Sequence, residues 1–216
     1  MDNQNNTNGN DIIENAESPT DDASKETKPS AAHSVLEYVE MFVLAVIAVL
    51  VVFTFAFRLC QVQGSSMMST LKDGERIITT NAFYTPEPGD VIVFHQTSDI
   101  NPTLNEPIIK RVIATEGQTV KIDFNDKNDM KIWVDGVEYA DENAYFDTLR
   151  AHIYPQHSFN KVTGIFEATV PEGHVFVLGD NRDNSNDSRS VAIGFVDERR
   201  ILGKAIFRIK PFTWLN

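Results

Sequence analysis

From Met41 to Phe57 the chain reads MFVLAVIAVLVVFTFAF, seventeen consecutive residues without a charge. At a rise of about 1.5 Å per residue, a helix of this length nearly spans a hydrocarbon core of about 30 Å, and Val39 and Leu59 can extend it. A helix packed in the core of a soluble domain keeps a polar stripe, and this segment has none. A cleaved export signal ends in small residues, whereas Arg58, Leu59, Cys60 and Gln61 follow here. Residues 36–60 are therefore expected to form an uncleaved single-pass anchor in a lipid bilayer. Positive charge does not orient it: Lys25 and Lys28 lie on one side, and Arg58, Lys72 and Arg76 on the other.

Before the anchor, residues 1–34 are rich in Asn, Asp, Ser and Thr, with seven acidic against two basic residues. Such a segment buries too little apolar surface to offset its ordering entropy, so a disordered acidic tail is expected. After Cys60 the pattern changes to short runs rich in Val, Ile, Phe and Thr between Gly, Pro, Asn and Asp. Strands are expected at 75–80, 89–95, 108–115, 118–124, 131–139, 174–180 and 200–209. VDGV at 134–137 signals a two-residue hairpin. No sustained helical period appears, so residues 61–216 read as a mainly antiparallel β domain, with about 123–170 a variable β subdomain.

Composition removes several classes of function. The net charge of −12 argues against a nucleic-acid partner, because phosphate binding needs clustered Lys and Arg. One cysteine, Cys60, permits neither an internal disulfide nor a cysteine-rich zinc site, and the five histidines lack ligand spacing, so no metal is expected.

Three segments carry chemistry. In VQGSSMMSTLKDG, 62–74, a Gly-Ser-Ser turn exposes a hydroxyl on permissive backbone, as a nucleophilic serine requires; serines are common in turns, and taken alone the segment favours a plain loop. In IIKRVIAT, 108–115, strand alternation puts Lys110 with Ile108 and Val112, and Arg111 with Ile109 and Ile113, so one of the two cations must sit among apolar side chains. A buried lysine can lose its proton and then accept one from a serine, although a lysine snorkelling at a sheet edge fits the same pattern. In GDNRDNSNDSR, 179–189, the polar density implies a tight loop in which Asp187 and Arg189 can pair. No frame of it supplies both the Gly and the late Glu of a calcium loop.

In this order (anchor, G-x-S-M-x-x-T-L, G-D-V-I-V-F, K-R-V, G-D-N-R-D-x-S-x-D-S-R) the chain resembles the bacterial type I signal peptidases from the anchor to Lys210 and Pro211. The resemblance implies a signal-peptidase-like antiparallel β fold and a serine endopeptidase that removes signal peptides from exported preproteins. It implies Ser66 as nucleophile and Lys110 as general base, with no cofactor. Ser185 would orient the lysine amine, Asp187 and Arg189 would be structural, and Asp180 would shape the same loop. The oxyanion would be held by the Ser66 N–H. Gly64 stands where some relatives add a hydroxyl donor. Cleavage would follow small residues in an Ala-x-Ala-like pattern, the peptide binding as an added strand over pockets formed by Val62, Met67, Leu71, Ile77, Val93, Ile108 and Ile109. Ser66 lies eight residues past Arg58, at the depth where an embedded signal helix would present its cleavage site. On that reading the N-terminus is cytoplasmic and the catalytic domain extracytoplasmic, in the cell membrane.

Two segments depart from the family pattern: Ser69 replaces a usual proline, and Glu116-Gly117-Gln118 a usual Pro-Gly-Asp. Two rival readings share much of the pattern. One is a self-cleaving Ser–Lys regulatory protease, against which the anchor argues. The other is an inactive membrane-anchored binding homologue, against which Ser66, Lys110 and Ser185 argue together. The eukaryotic-type branch, with histidine in place of Lys110, does not fit.

Overall fold

The computed structural model describes residues 31–96, 106–125, 130–140, 142–144, 159–160 and 162–215. Of the expected disordered tail, 1–34, residues 1–30 lie outside these; its last four residues are instead helical, because the helix that carries the apolar run extends back to Ala31. Helix α1 runs from Ala31 to Ala56 and contains the 22-residue apolar stretch Val35–Ala56, none of it buried within the protein. Its one hydroxyl in the charge-free run, Thr54, donates to the Leu50 carbonyl at 2.7 Å, so that polar group is satisfied within the helix. Both sheets belong to the unit from Ile47 onward.

The helix ends sooner than the apolar run suggests. The expected anchor, 36–60, is helical only to Ala56, and β1 (Phe57–Gln61) is a strand. It pairs antiparallel with β2 (Arg76–Thr80), Cys60 lying opposite Ile77. The physical reason is pairing: as a strand, Phe57–Gln61 shares a backbone ladder with β2 that a further helical turn would leave unmade.

The remaining strands are β3 (Val91–His95), β4 (Pro107–Ala114), β5 (Thr119–Asp123), β6 (Lys131–Val134), β7 (Val137–Glu138), β8 (Phe159–Asn160), β9 (Ile165–Thr169), β10 (His174–Leu178), β11 (Val196–Asp197), β12 (Ile201–Arg208) and β13 (Thr213–Trp214). One sheet has the order β1-β2-β12-β3-β4-β10-β11, with β13 also on β12; the second has the order β7-β6-β5-β9-β8. All the strand pairings are antiparallel. The hairpin at 134–137 forms between β6 and β7, its central Asp135 and Gly136 both at positive φ, as such a turn demands.

Strand β4 ties the domain together. Ile109 packs with Val62, Met67, Leu71, Ile77, Val91 and Val93. Ile108 and Val112 join Ile92, Phe94, Val175 and Val177. Ile113 and Ala114 reach a third cluster with Val120, Ile122, Phe166 and Phe176, the core of the second sheet. Lys110 and Arg111 sit where these clusters meet.

Candidate active site

The segment carrying Ser66 leaves β1 and is folded by its own apolar residues. Val62 is buried, and exchanges backbone hydrogen bonds with the far side of the loop, donating to Glu75 O and accepting from Gly74 N–H. Gly64 has φ +83°, a conformation in which a Cβ would be strained, and its N–H donates to Asp73 Oδ1 at 2.8 Å. A tight turn follows, with Met68 N–H donating to Ser65 O and Leu71 N–H to Met67 O. Met67 and Leu71 drop into the core, which leaves the Ser66 hydroxyl at the surface of a cleft of about 520 Å³.

Lys110 Nζ lies 2.7 Å from Ser66 Oγ and donates to Ile109 O at 2.8 Å. Burial draws the amine down from its ordinary 10.5 to about 8, and Arg189 pushes the same way; Asp187 and Asp180 oppose it without cancelling it. A neutral lysine amine within hydrogen-bond reach of a serine hydroxyl can take its proton.

Alternation along β4 predicts one cation buried among apolar side chains, but the structure buries both: Lys110 and Arg111 are each 2% exposed. Arg111 is accommodated by partners. Its Nε and Nη2 donate to the two oxygens of Asp180 at 2.9 and 2.8 Å, and its Nη1 to Gly89 O. Thr70, on the Ser66 turn, donates to the same Asp180 carboxylate at 2.5 Å. Three distant segments are thus joined by one ion pair. Neither Arg111 nor Thr70 stands out from the sequence as a site residue, yet a signal was present: a guanidinium that alternation sends inward needs a carboxylate, and Asp180 had no other assigned partner.

The 179–189 loop is held from within. Arg189 grips Asp187 through Nε and Nη2, both at 2.8 Å, and Asp187 Oδ2 accepts the Gly179 N–H at 3.0 Å. Burial alone would raise the Asp187 carboxyl, but Arg189 overrides it and holds the group below its ordinary value. Ser185 lies behind Gly179, its hydroxyl turned to the Asp187 carboxylate, which it helps to hold down, and not to Lys110; the Lys110 amine is held by Ser66 and Ile109 instead. A Cβ on Gly179 would come within 2.1 Å of Ser185 Oγ and 2.6 Å of Ser66 O, so this approach demands glycine.

Of the residues expected to line the peptide site, Val62, Met67, Val93, Ile108 and Ile109 border the cleft together with Gly64. Leu71 and Ile77 do not. Both are fully buried in the cluster beneath Ser66, because the turn needs anchors on its inner side and these are the side chains that point there. Ser69, in the place of the usual proline, has φ +85° and donates to Asn143 O at 2.7 Å. A proline ring cannot adopt that φ, so this turn runs differently from one built on proline.

A family model described as signal peptidase, peptidase S26, matches residues 35–210. A probable signal peptidase I-1 of Synechocystis sp. is 32% identical over 189 residues, 85% of this chain and 86% of that protein. Signal peptidase IB of Staphylococcus aureus (strain COL) is 32% identical over 193 residues, 83% of this chain and 91% of that one. The crystal structure of a signal peptidase I from Enterococcus faecalis V583 is 27% identical, with a TM-score of 0.40, covering 56% of this chain and 97% of its own.

Proposed function

We propose, from the premise that this chain belongs to the signal peptidase family, peptidase S26, that Ser66 and Lys110 are its nucleophile and general base. The chain is a bacterial type I signal peptidase, a serine endopeptidase that removes signal peptides. The observation carrying the residue assignment is the 2.7 Å approach of a buried amine, drawn down to about 8, to a cleft-facing hydroxyl. Ser66 Oγ attacks the scissile carbonyl carbon while Lys110 Nζ takes its proton. The carbonyl oxygen gains the negative charge and lies against the Ser66 N–H. The tetrahedral intermediate collapses, the C–N bond breaks, and Lys110 returns the proton to the departing amine. Water, deprotonated by the same lysine, then hydrolyses the acyl-enzyme.

The substrate is an exported preprotein bound as an extended strand along the cleft. Val62, Met67, Val93, Ile108 and Ile109 offer shallow apolar pockets there, suited to small side chains and hence to an Ala-x-Ala-like site. Helix α1 anchors the enzyme in the cell membrane, with the N-terminus cytoplasmic and the catalytic domain on the extracytoplasmic side. No metal takes part, so chelators leave cleavage intact. The test is cleavage of an Ala-x-Ala preprotein in detergent by wild type, Ser66→Ala and Lys110→Ala. Cleavage after the last Ala by wild type alone supports the dyad and the substrate class. Full activity in folded Lys110→Ala would show that the mechanism is wrong.

A further inference from the structure

Asn181 touches the nucleophile segment twice. Its backbone N–H donates to Ser66 O at 3.0 Å, and its side-chain Nδ2 donates to Ser65 O, also at 3.0 Å. Those two oxygens belong to the peptide units on either side of the Ser66 Cα, so one residue grips both planes. The first plane matters chemically. Ser65 C=O and Ser66 N–H belong to the same rigid, trans unit and point in opposite directions. The Met68 N–H already donates to that oxygen within the turn at 3.1 Å; the Asn181 amide adds a second donor, which fixes the carbonyl from outside the turn, aims the N–H and, by drawing electron density from the oxygen, makes that N–H a stronger donor. Among the described residues the Ser66 N–H has no acceptor, which leaves it free for a ligand in the cleft.

Asn181 is 4% exposed, and its Oδ1 is buried without a partner. The opposite orientation of the amide would set oxygen against the Ser65 oxygen, so the group facing Ser65 has to be the donor. The protein tolerates an unsatisfied buried oxygen in order to keep that donor in place. Asn184 adds a third contact, its Nδ2 donating to Ser65 Oγ at 2.9 Å. Gly64 supplies no side-chain donor, so the Ser66 N–H has no hydroxyl beside it at that position to share the developing charge.

We propose that Asn181, assisted by Asn184 through Ser65, is a positioning residue that aims and polarises the Ser66 N–H as the oxyanion donor. This rests on Ser66 being the nucleophile. It acts on the transition state and on neither substrate affinity nor the protonation of Lys110.

The test compares full-length wild type, Asn181→Leu, Asn181→Ala, Asn184→Ala, Ser65→Ala and Ser66→Ala in detergent, on one preprotein. A peptide aldehyde and the matching product peptide serve as inhibitors. Loss of an oxyanion donor costs roughly 100- to 1,000-fold in kcat, so mispositioning one is expected to cost about 10- to 100-fold in Asn181→Leu and Asn181→Ala. KM and the pH midpoint should not move. The aldehyde, which must form a tetrahedral adduct, should lose affinity by the same factor while the product peptide binds as before. Asn184→Ala and Ser65→Ala should each lose about 3- to 10-fold, and the double variant no more than either. Undiminished kcat in Asn181→Leu, or a fall accompanied by a displaced pH midpoint, overturns the inference. Should Asn181 variants not fold, additive losses in the Ser65/Asn184 pair overturn it equally. Cleavage by Ser66→Ala would instead defeat the nucleophile assignment beneath it, whereas inactive Ser66→Ala beside unimpaired Asn181→Leu defeats this inference alone.

Discussion

Replacing Lys110 by Met should abolish cleavage and at the same time change how the stability of the folded chain depends on pH. Methionine fills nearly the same volume without an ionisable group. The lysine's pKa falls from 10.5 to about 8 on folding, chiefly through burial. Between those values the unfolded chain holds more protons than the folded one, so stability rises with pH through that window. Below about pH 8 the whole cost is present, about 3 kcal/mol at roughly 1.4 kcal/mol per unit. By pH 10 it has fallen to about 1 kcal/mol. The hydrogen bonds Lys110 makes to Ser66 and Ile109 are lost in the variant at every pH, so they cancel when the two pH values are compared. The stability of Lys110→Met relative to wild type should therefore drop by about 2–3 kcal/mol between pH 7 and pH 10. Urea unfolding of the full chain in nonionic detergent, followed by Trp133 and Trp214 fluorescence, measures this directly. A difference that does not change with pH, or that grows as pH rises, would refute the claim that the site desolvates its lysine.

The same titration governs turnover: kcat/KM should rise with pH to half its maximum near 8, with about a tenth of the maximum at pH 7. A flat profile from pH 6.5 to 9 would contradict a lysine base with this value. Gly179→Ala should reduce cleavage by about 100-fold, because the new methyl collides with Ser66 O, a backbone atom that cannot yield without moving the nucleophile; near-normal activity would mean the loop and the Ser66 turn are not in contact. Ser69→Pro should lower stability by about 2 kcal/mol or more, read from the shift of the urea midpoint, since its φ of +85° is closed to proline. Ser69→Gly should stay within about 1 kcal/mol of wild type.

Most of the strands were legible because β-branched runs such as VIVF and IIKRVIA are separated by turn-forming residues, and the turn chemistry of Asp135-Gly136 is local. The change from helix to strand at Phe57 was not. Apolar content continues through it, and only pairing with Ile77 and its neighbours, some twenty residues away in sequence, decides the matter. Strand β9 was hidden for a similar reason, as Ile165–Thr169 carries a glutamate at its centre and takes its place from pairing with β5. At the site, the approach of Ser66 to Lys110 followed from motif order. Periodicity misjudged Arg111, since it reports which face a side chain occupies and not whether a partner waits there. Leu71 and Ile77 show the same limit: an apolar residue beside a catalytic turn can face the cleft or hold the turn down from beneath, and composition is the same in both cases.

The two ion pairs also bear on how the lysine can give up its proton so readily in so polar a neighbourhood. Asp180 and Asp187 each favour a proton on Lys110, yet each is already held by two nitrogens of an arginine. Toward the amine, Arg189 offsets part of what the two carboxylates do, and burial outweighs the remainder. Arg189 thus serves as partial electrical insulation for a group to which the structure gives it no hydrogen bond. Charge in this loop can then be altered without disabling the base only if both members of a pair are changed together.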